Sequence, residues 1–209
     1  MDSTRRSLIA MAGMAPLCSL AATDASPQAS GQPSASGRPK ASGRLLLSHF
    51  DDEKPYVLPG TGWRGFTDRV MGGVSDANFD RDEIDGQSCM RMTGDVTRDS
   101  GGGFVQMAYY FGASKDASAY SGLELLVYGN DEDYNVHIRT ADCGWHDQSY
   151  RATFRATGKW QTVRLPWSAF AANGVRAPLD TSSLQRVGLL GWMREFRADL
   201  ALGEIALYS

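Results

Sequence analysis

"YNVHIRTA", Tyr134 to Ala141, sorts its side chains by parity: Tyr134, Val136 and Ile138 are apolar, while Asn135, His137 and Arg139 are polar. A repeat of two is the signature of a β-strand with one face in a core and the other in water. "KWQTVRLPW" (Lys159 to Trp167) repeats the pattern, with Val163 and Leu165 on one side and Thr162 and Arg164 on the other. Similar runs precede and follow: "LLLSHF" (Leu45 to Phe50), "SCMRMTGDV" (Ser88 to Val96), "GFVQMAYYF" (Gly103 to Phe111), "GLELLVYG" (Gly122 to Gly129), "SYRATFRAT" (Ser149 to Thr157), "RVGLLGWM" (Arg186 to Met193) and "DLALGEIALY" (Asp199 to Tyr208). Gly, Asp, Asn or Pro bounds each of them. Helical periodicity is confined to a short turn around Ser168 to Ala172. Short strands at this spacing predict an all-β fold, an antiparallel jelly-roll β-sandwich.

Composition sets the frame around these strands. Of 209 residues 42% are hydrophobic, enough for a sizeable core plus a non-globular extension. The net charge of -3 leaves no basic excess for phosphates, so nucleic acid is excluded as a partner class.

The N-terminus reads as an address. Arg5 and Arg6 precede an apolar run from Leu8 to Ala22, and Ser19 and Ala21 suit cleavage after Ala21. Residues 1–22 are therefore expected to be a bacterial export signal, and Thr4-Arg5-Arg6-Ser7-Leu8-Ile9 resembles the twin-arginine pattern. The expected location is periplasmic or secreted, with a mitochondrial presequence as the alternative. No integral membrane segment is expected once the signal is removed. Residues 23–44 hold QASGQP, SASGRP and most of KASGRL, and between Ser26 and Arg44 the only apolar side chains larger than alanine are three prolines. Such a segment reads as a flexible linker, which leaves 45–209 as the β-sandwich domain.

"DRVMGGVSDANF", Asp68 to Phe79, carries no histidine or cysteine. Its paired Gly72-Gly73 suits a tight corner, with Asp68 accepting from turn N–H groups, Met71 plugging the core and Ser75 capping the next turn. Alternatively, Asp68, Arg69 and Ser75 line a cleft for a polar ligand or a partner's backbone. Gly101-Gly102-Gly103 opens no helix after a strand, so Gly102 and Gly103 read as turn residues rather than as a phosphate cradle.

Taken in order, Asp68-x-x-Met71-Gly72-Gly73-x-Ser75, Gly102-Gly103-Phe104 and Trp160 followed by Leu165-Pro166 resemble the NADH:ubiquinone oxidoreductase complex I intermediate-associated protein 30 family. The resemblance spans Phe50 to Tyr208. It implies a galactose-binding-domain-like jelly roll and a non-catalytic role, since mitochondrial members help to assemble respiratory complex I. A protein partner, respiratory-complex subunits by this resemblance, is thus expected. The family's matrix-side task lies across the membrane from an exported chain, so a glycan is the alternative partner and a periplasmic carbohydrate-binding module the alternative function.

Catalytic signals are weak. Cys143 and His146 stand beside Asp142 and Asp147 with no second Cys or His pair nearby, too few for a zinc set. No nucleophile elbow, dinucleotide fingerprint or phosphate loop is present. A hydrolase built on His137 or His146 would need a carboxylate or nucleophile within reach. The chain is expected to be no enzyme and to carry neither metal nor cofactor. Cys89 and Cys143 are candidates for one disulfide, with two buried thiols as the alternative. Of the five tryptophans, Trp160 and Trp167 read as core. Trp145, in a polar loop with Asp142, His146 and Tyr150, is the candidate binding rim.

Overall fold

A computed structural model describes residues 43–51 and 56–209; the export-signal reading and nearly all of the linker lie outside the described residues. In chain order the strands are β1 (Arg44–His49), β2 (Tyr56–Val57), β3 (Gly62–Thr67), β4 (Asp76–Ile84), β5 (Gln87–Val96), β6 (Phe104–Lys115), β7 (Gly122–Tyr128), β8 (Glu132–Thr140), β9 (Ser149–Ala156), β10 (Gln161–Pro166), β11 (Ala171–Asn173), β12 (Leu184–Trp192) and β13 (Phe196–Tyr208). Short 3-10 turns at Asp68–Met71, Asp99–Gly101 and Trp167–Ala169 are the helical content among the described residues.

The strands form two antiparallel sheets. In the first, β10, β7, β13, β1 and β2 lie side by side, and β5 also pairs with β13 and carries β4 at its edge. The second runs β11-β9-β8-β12-β6-β3. Between them lies the core. Tyr134, Val136 and Ile138 of β8, with Val105, Met107 and Tyr109 of β6, face Leu123, Leu125 and Val127 of β7 and Ile205 and Leu207 of β13 in one buried cluster. The even-odd pattern of "YNVHIRTA" thus places those three apolar residues inside. On its other face, however, His137 is not wet: it is buried beneath Trp192, whose ring centroid lies 4.8 Å away.

All nine sequence-predicted runs fall on strands, and the turn expected near Ser168 is the 3-10 turn Trp167–Ala169. Strands β2, β3, β4 and β11 were not expected. Strand β4 alternates Ala77 and Phe79 with Asp76, Asn78 and Asp80 along the edge of its sheet, where solvated acidic side chains hide a strand's pattern.

One irregularity re-aims a charged side chain. In a regular strand Leu184 and Arg186 would share a face. The register of β12 shifts between them against both β6 and β8, so Leu184 and Val187 are both buried while Arg186 turns outward. A bulge is the ordinary device for such a change of aim.

Candidate functional site

The Asp68 corner is closed. Thr67 caps the 3-10 turn by accepting from Arg69 N at 3.3 Å, which carries Asp68 inward to full burial. Asp68 Oδ1 accepts from Ser75 N (2.9 Å), and Oδ2 accepts from Ser75 Oγ (2.6 Å), Gly103 N (2.6 Å) and, more weakly, Phe104 N (3.3 Å). A carboxylate with this many donors is a strong clamp, because hydrogen bonds to an ionised group exceed neutral ones. The glycines follow from it: a Cβ on Gly73 or Gly102 would overlap the Asp68 side chain. The clamp joins the segment before β4 to the one before β6.

Asp68 and Ser75 therefore have no free face for a ligand, which corrects the cleft reading of this stretch. Arg69 is exposed, donates from Nε to Ser75 O and pairs with Asp76. Met71 does not plug the core; it is 54% exposed, because the turn that buries Asp68 points the last residue of its four outward.

The loop between β8 and β9 does not form the expected rim as a unit. Trp145 is 71% exposed, and Asp142 closes a local turn with Thr140. Tyr150 faces the core instead, with its hydroxyl donating to Ala177 O and Pro178 O, since it shares the inward parity of Ala152 and Phe154. His146 does reach the groove described below. Cys89 and Cys143 are free buried thiols, one in β5 of the first sheet and one in the loop after β8 of the second, so the disulfide expectation is also corrected. Burial, foremost, pushes the Cys89 thiol up to about 11. Trp160 and Trp167 anchor by donating to Ile84 O and Tyr120 O.

The groove lies across the outer face of the second sheet and holds about 450 Å³. Phe66 of β3, Phe104 of β6 and Trp192 of β12 form an aromatic floor, with Phe66 edge-on to Phe104 and Phe104 tilted against Trp192. His137 of β8, Gln106 of β6, Arg151 of β9 and Arg186 of β12 supply polar atoms, and Val70, Met71 and Met193 stand at the rim. Gly188 makes room here, for a Cβ at that position would fall on Gln106 Nε2. Gln106 Nε2, His137 Nε2 and Arg186 Nε are buried without a partner among the described residues. Native proteins rarely leave such atoms unpaired, and three in one groove mark a place where something else supplies the acceptors.

Two arginines shape the local field. The Arg151 guanidinium stacks 4.7 Å over the Trp192 ring and is steadied by Ser149 Oγ and Asp147 O. That of Arg186 lies 5.6 Å from the Tyr110 ring and donates to its hydroxyl. Burial, and then the charges of Arg151 and Arg186, hold His137 down to about 3, so it is neutral at neutral pH. Among the described residues no carboxylate bonds its Nε2, and no cluster of three His, Cys, Asp or Glu could hold a metal ion. None of the described helices is long and apolar enough to cross a membrane.

Sequence reasoning missed the groove because six strands contribute to it and because Arg186 owes its direction to a bulge. Trp192, in the quoted run "RVGLLGWM", was the available signal: a large ring at a strand end on the parity opposite to Val187 and Leu189.

Two antiparallel sheets around one core, with a groove on an outer face, define an all-β sandwich. The chain belongs to the Complex I intermediate-associated protein 30 family, whose model matches residues 49–202. No curated protein matches the chain. Among solved structures it is similar to the family 11 carbohydrate-binding module of the cellulosomal cellulase Lic26A-Cel5E of Clostridium thermocellum (TM-score 0.66, 13% identity, 81% of this chain and 96% of that one). The Clostridium thermocellum family 11 module in complex with a β-1,3-1,4-mixed-linked tetrasaccharide is also similar (0.63, 15%, 81% and 98%), as is a family 30 carbohydrate-binding module (0.55, 19%, 79% and 88%). At these identities the likeness is one of fold.

Proposed function

We propose that the chain is a non-enzymatic binding module that holds a saccharide in the groove of its second sheet. The observation that carries this is the convergence of unpartnered Gln106 Nε2, His137 Nε2 and Arg186 Nε on a floor made by Phe66, Phe104 and Trp192. A sugar ring meets both demands at once: its C–H face lies on aromatic rings and its hydroxyls satisfy buried donors and acceptors. The fold shared with carbohydrate-binding modules supports the reading. Export belongs to the same proposal, since a periplasmic or secreted chain meets glycans and stands across the membrane from cytoplasm-facing respiratory subunits.

A protein partner is the second reading, favoured by the family and by the exposed Val70, Met71 and Met193 at the rim. Those side chains would suit an apolar segment of another chain.

Isothermal titration of the purified protein against a panel of neutral and acidic oligosaccharides tests the first reading. Saturable binding that Gln106→Ala and Trp192→Phe both weaken is the expected result. Absence of binding across the panel, or binding that ignores both substitutions, refutes it.

A further inference from the structure

We infer that the ligand of this groove is an acidic glycan, with a uronate carboxylate received between Arg151 and Arg186; the inference rests on the saccharide reading above. The outer face of the second sheet carries Arg64 on β3, Arg139 on β8, Arg151 on β9 and Arg186 on β12, and none of the four forms an ion pair with a described residue. On the first sheet the pattern is the opposite. Arg44 pairs with Glu124 and Glu204, Arg91 with Asp82 and Asp199, and Arg164 with Glu124, at 2.6 to 2.8 Å. The second sheet pairs Arg155 with Asp133 at its far end but leaves these four guanidinium groups unneutralised.

These four are not equivalent. Arg139 is spent on structure, donating to the carbonyls of Cys143, Trp145, His146 and Gln148 and so pinning the loop after β8. Arg64 stacks on Tyr110, 4.9 Å from its ring centroid, beside the groove rather than in its lining. Arg151 and Arg186 line the groove itself. Asp147 is the carboxylate at the rim, exposed, and it bonds to Arg151 through its main-chain oxygen.

Donor chemistry decides what the groove accepts. Arginine has five N–H donors and no acceptor, and the Gln106 amide nitrogen is likewise a donor. Gln106 is 3% exposed and His137 5%, so the site is built into the sheet. The unpartnered Arg186 Nε and Gln106 Nε2 call for oxygen acceptors, and two nearby guanidinium groups with no carboxylate partner favour an acceptor that carries charge. A hexose hydroxyl satisfies the first demand. A hexuronate satisfies both, and its ring still stacks on the aromatic floor.

The test uses matched pairs: oligomers of galacturonate, mannuronate and glucuronate, and the same oligomers after reduction of their carboxyl groups to neutral hexoses, each titrated into the full chain. At least one oligouronate is expected to bind about tenfold or more tightly than its reduced counterpart. Raised salt is expected to narrow that gap, as are Arg186→Gln and Arg151→Gln. The salt and reduction arms keep the test valid if a variant fails to fold. Equal binding of a pair overturns the acidic inference and leaves the saccharide reading standing. Binding of polyglutamate with no oligosaccharide of either kind overturns both, in favour of an acidic peptide. No binding at all also overturns both.

Discussion

Replacing Asp68 by alanine removes the acceptor for Ser75 N, Ser75 Oγ and Gly103 N at once. Ser75 Oγ recovers, because it can turn to Thr97 O at 3.1 Å. The two backbone N–H groups do not, since both of their bonds to Asp68 are buried away from water. Each buried donor left unpaired costs about 1 to 3 kcal/mol, so the expected loss is about 4 kcal/mol. For a domain of this size that lowers Tm by about 8 to 16 °C. Urea unfolding followed by tryptophan fluorescence reads the same quantity as a midpoint about 2 M lower at unchanged slope. Asp68→Asn keeps one acceptor oxygen but turns an NH2 toward donors, and is expected to fall between alanine and wild type. Gly73→Ala is expected to be comparably severe, because its Cβ overlaps the same carboxylate. A loss below about 1 kcal/mol for Asp68→Ala would refute the clamp, showing that water or a rearranged turn replaces the carboxylate at little cost.

Three further outcomes are expected. His137 is held from its ordinary 6.5 down to about 3, so the unfolded chain binds its proton more readily in that window. Wild-type stability should therefore fall as pH drops from about 6.5 toward 3, and His137→Gln should flatten that fall by at most about 1.4 kcal/mol per pH unit in parallel urea titrations. Cys89 and Cys143 should both take up a maleimide after denaturation without reductant and resist it in the native protein, as read by peptide mass. Arg91→Met, which removes a bidentate contact to Asp199 and a bond to Asp82, should cost about 1 kcal/mol in the same urea assay, because the cluster is about one third exposed.

The sandwich was readable wherever a strand buries one face and wets the other, as β8 and β10 do. It was not readable in β4, where Phe79 is the one large apolar side chain ahead of Ile84 and acidic residues face solvent. There the Asp85-Gly86 dipeptide joining β4 to β5 was the better signal. Asp68 and its glycines could be read as a corner, but the partner N–H of Gly103 lies 35 residues away. The groove was hidden for a similar reason. Its polar atoms come from β6, β8, β9 and β12, and local periodicity says which residues leave the core without saying which of them meet.

Strand β13 pairs with β1, β5 and β7. It is the common member of the first sheet and, of the domain's strands, the last to be synthesised. β1 can find its neighbour only after residues 196–208 have left the ribosome, a span of about 160 residues between partners such as Arg44 and Tyr208. Until then β1, β5 and β7 lack their shared edge, and half of the sandwich has nothing to close upon. Folding of the domain therefore waits for β13, and a chain cut short before β13 loses a sheet rather than a strand.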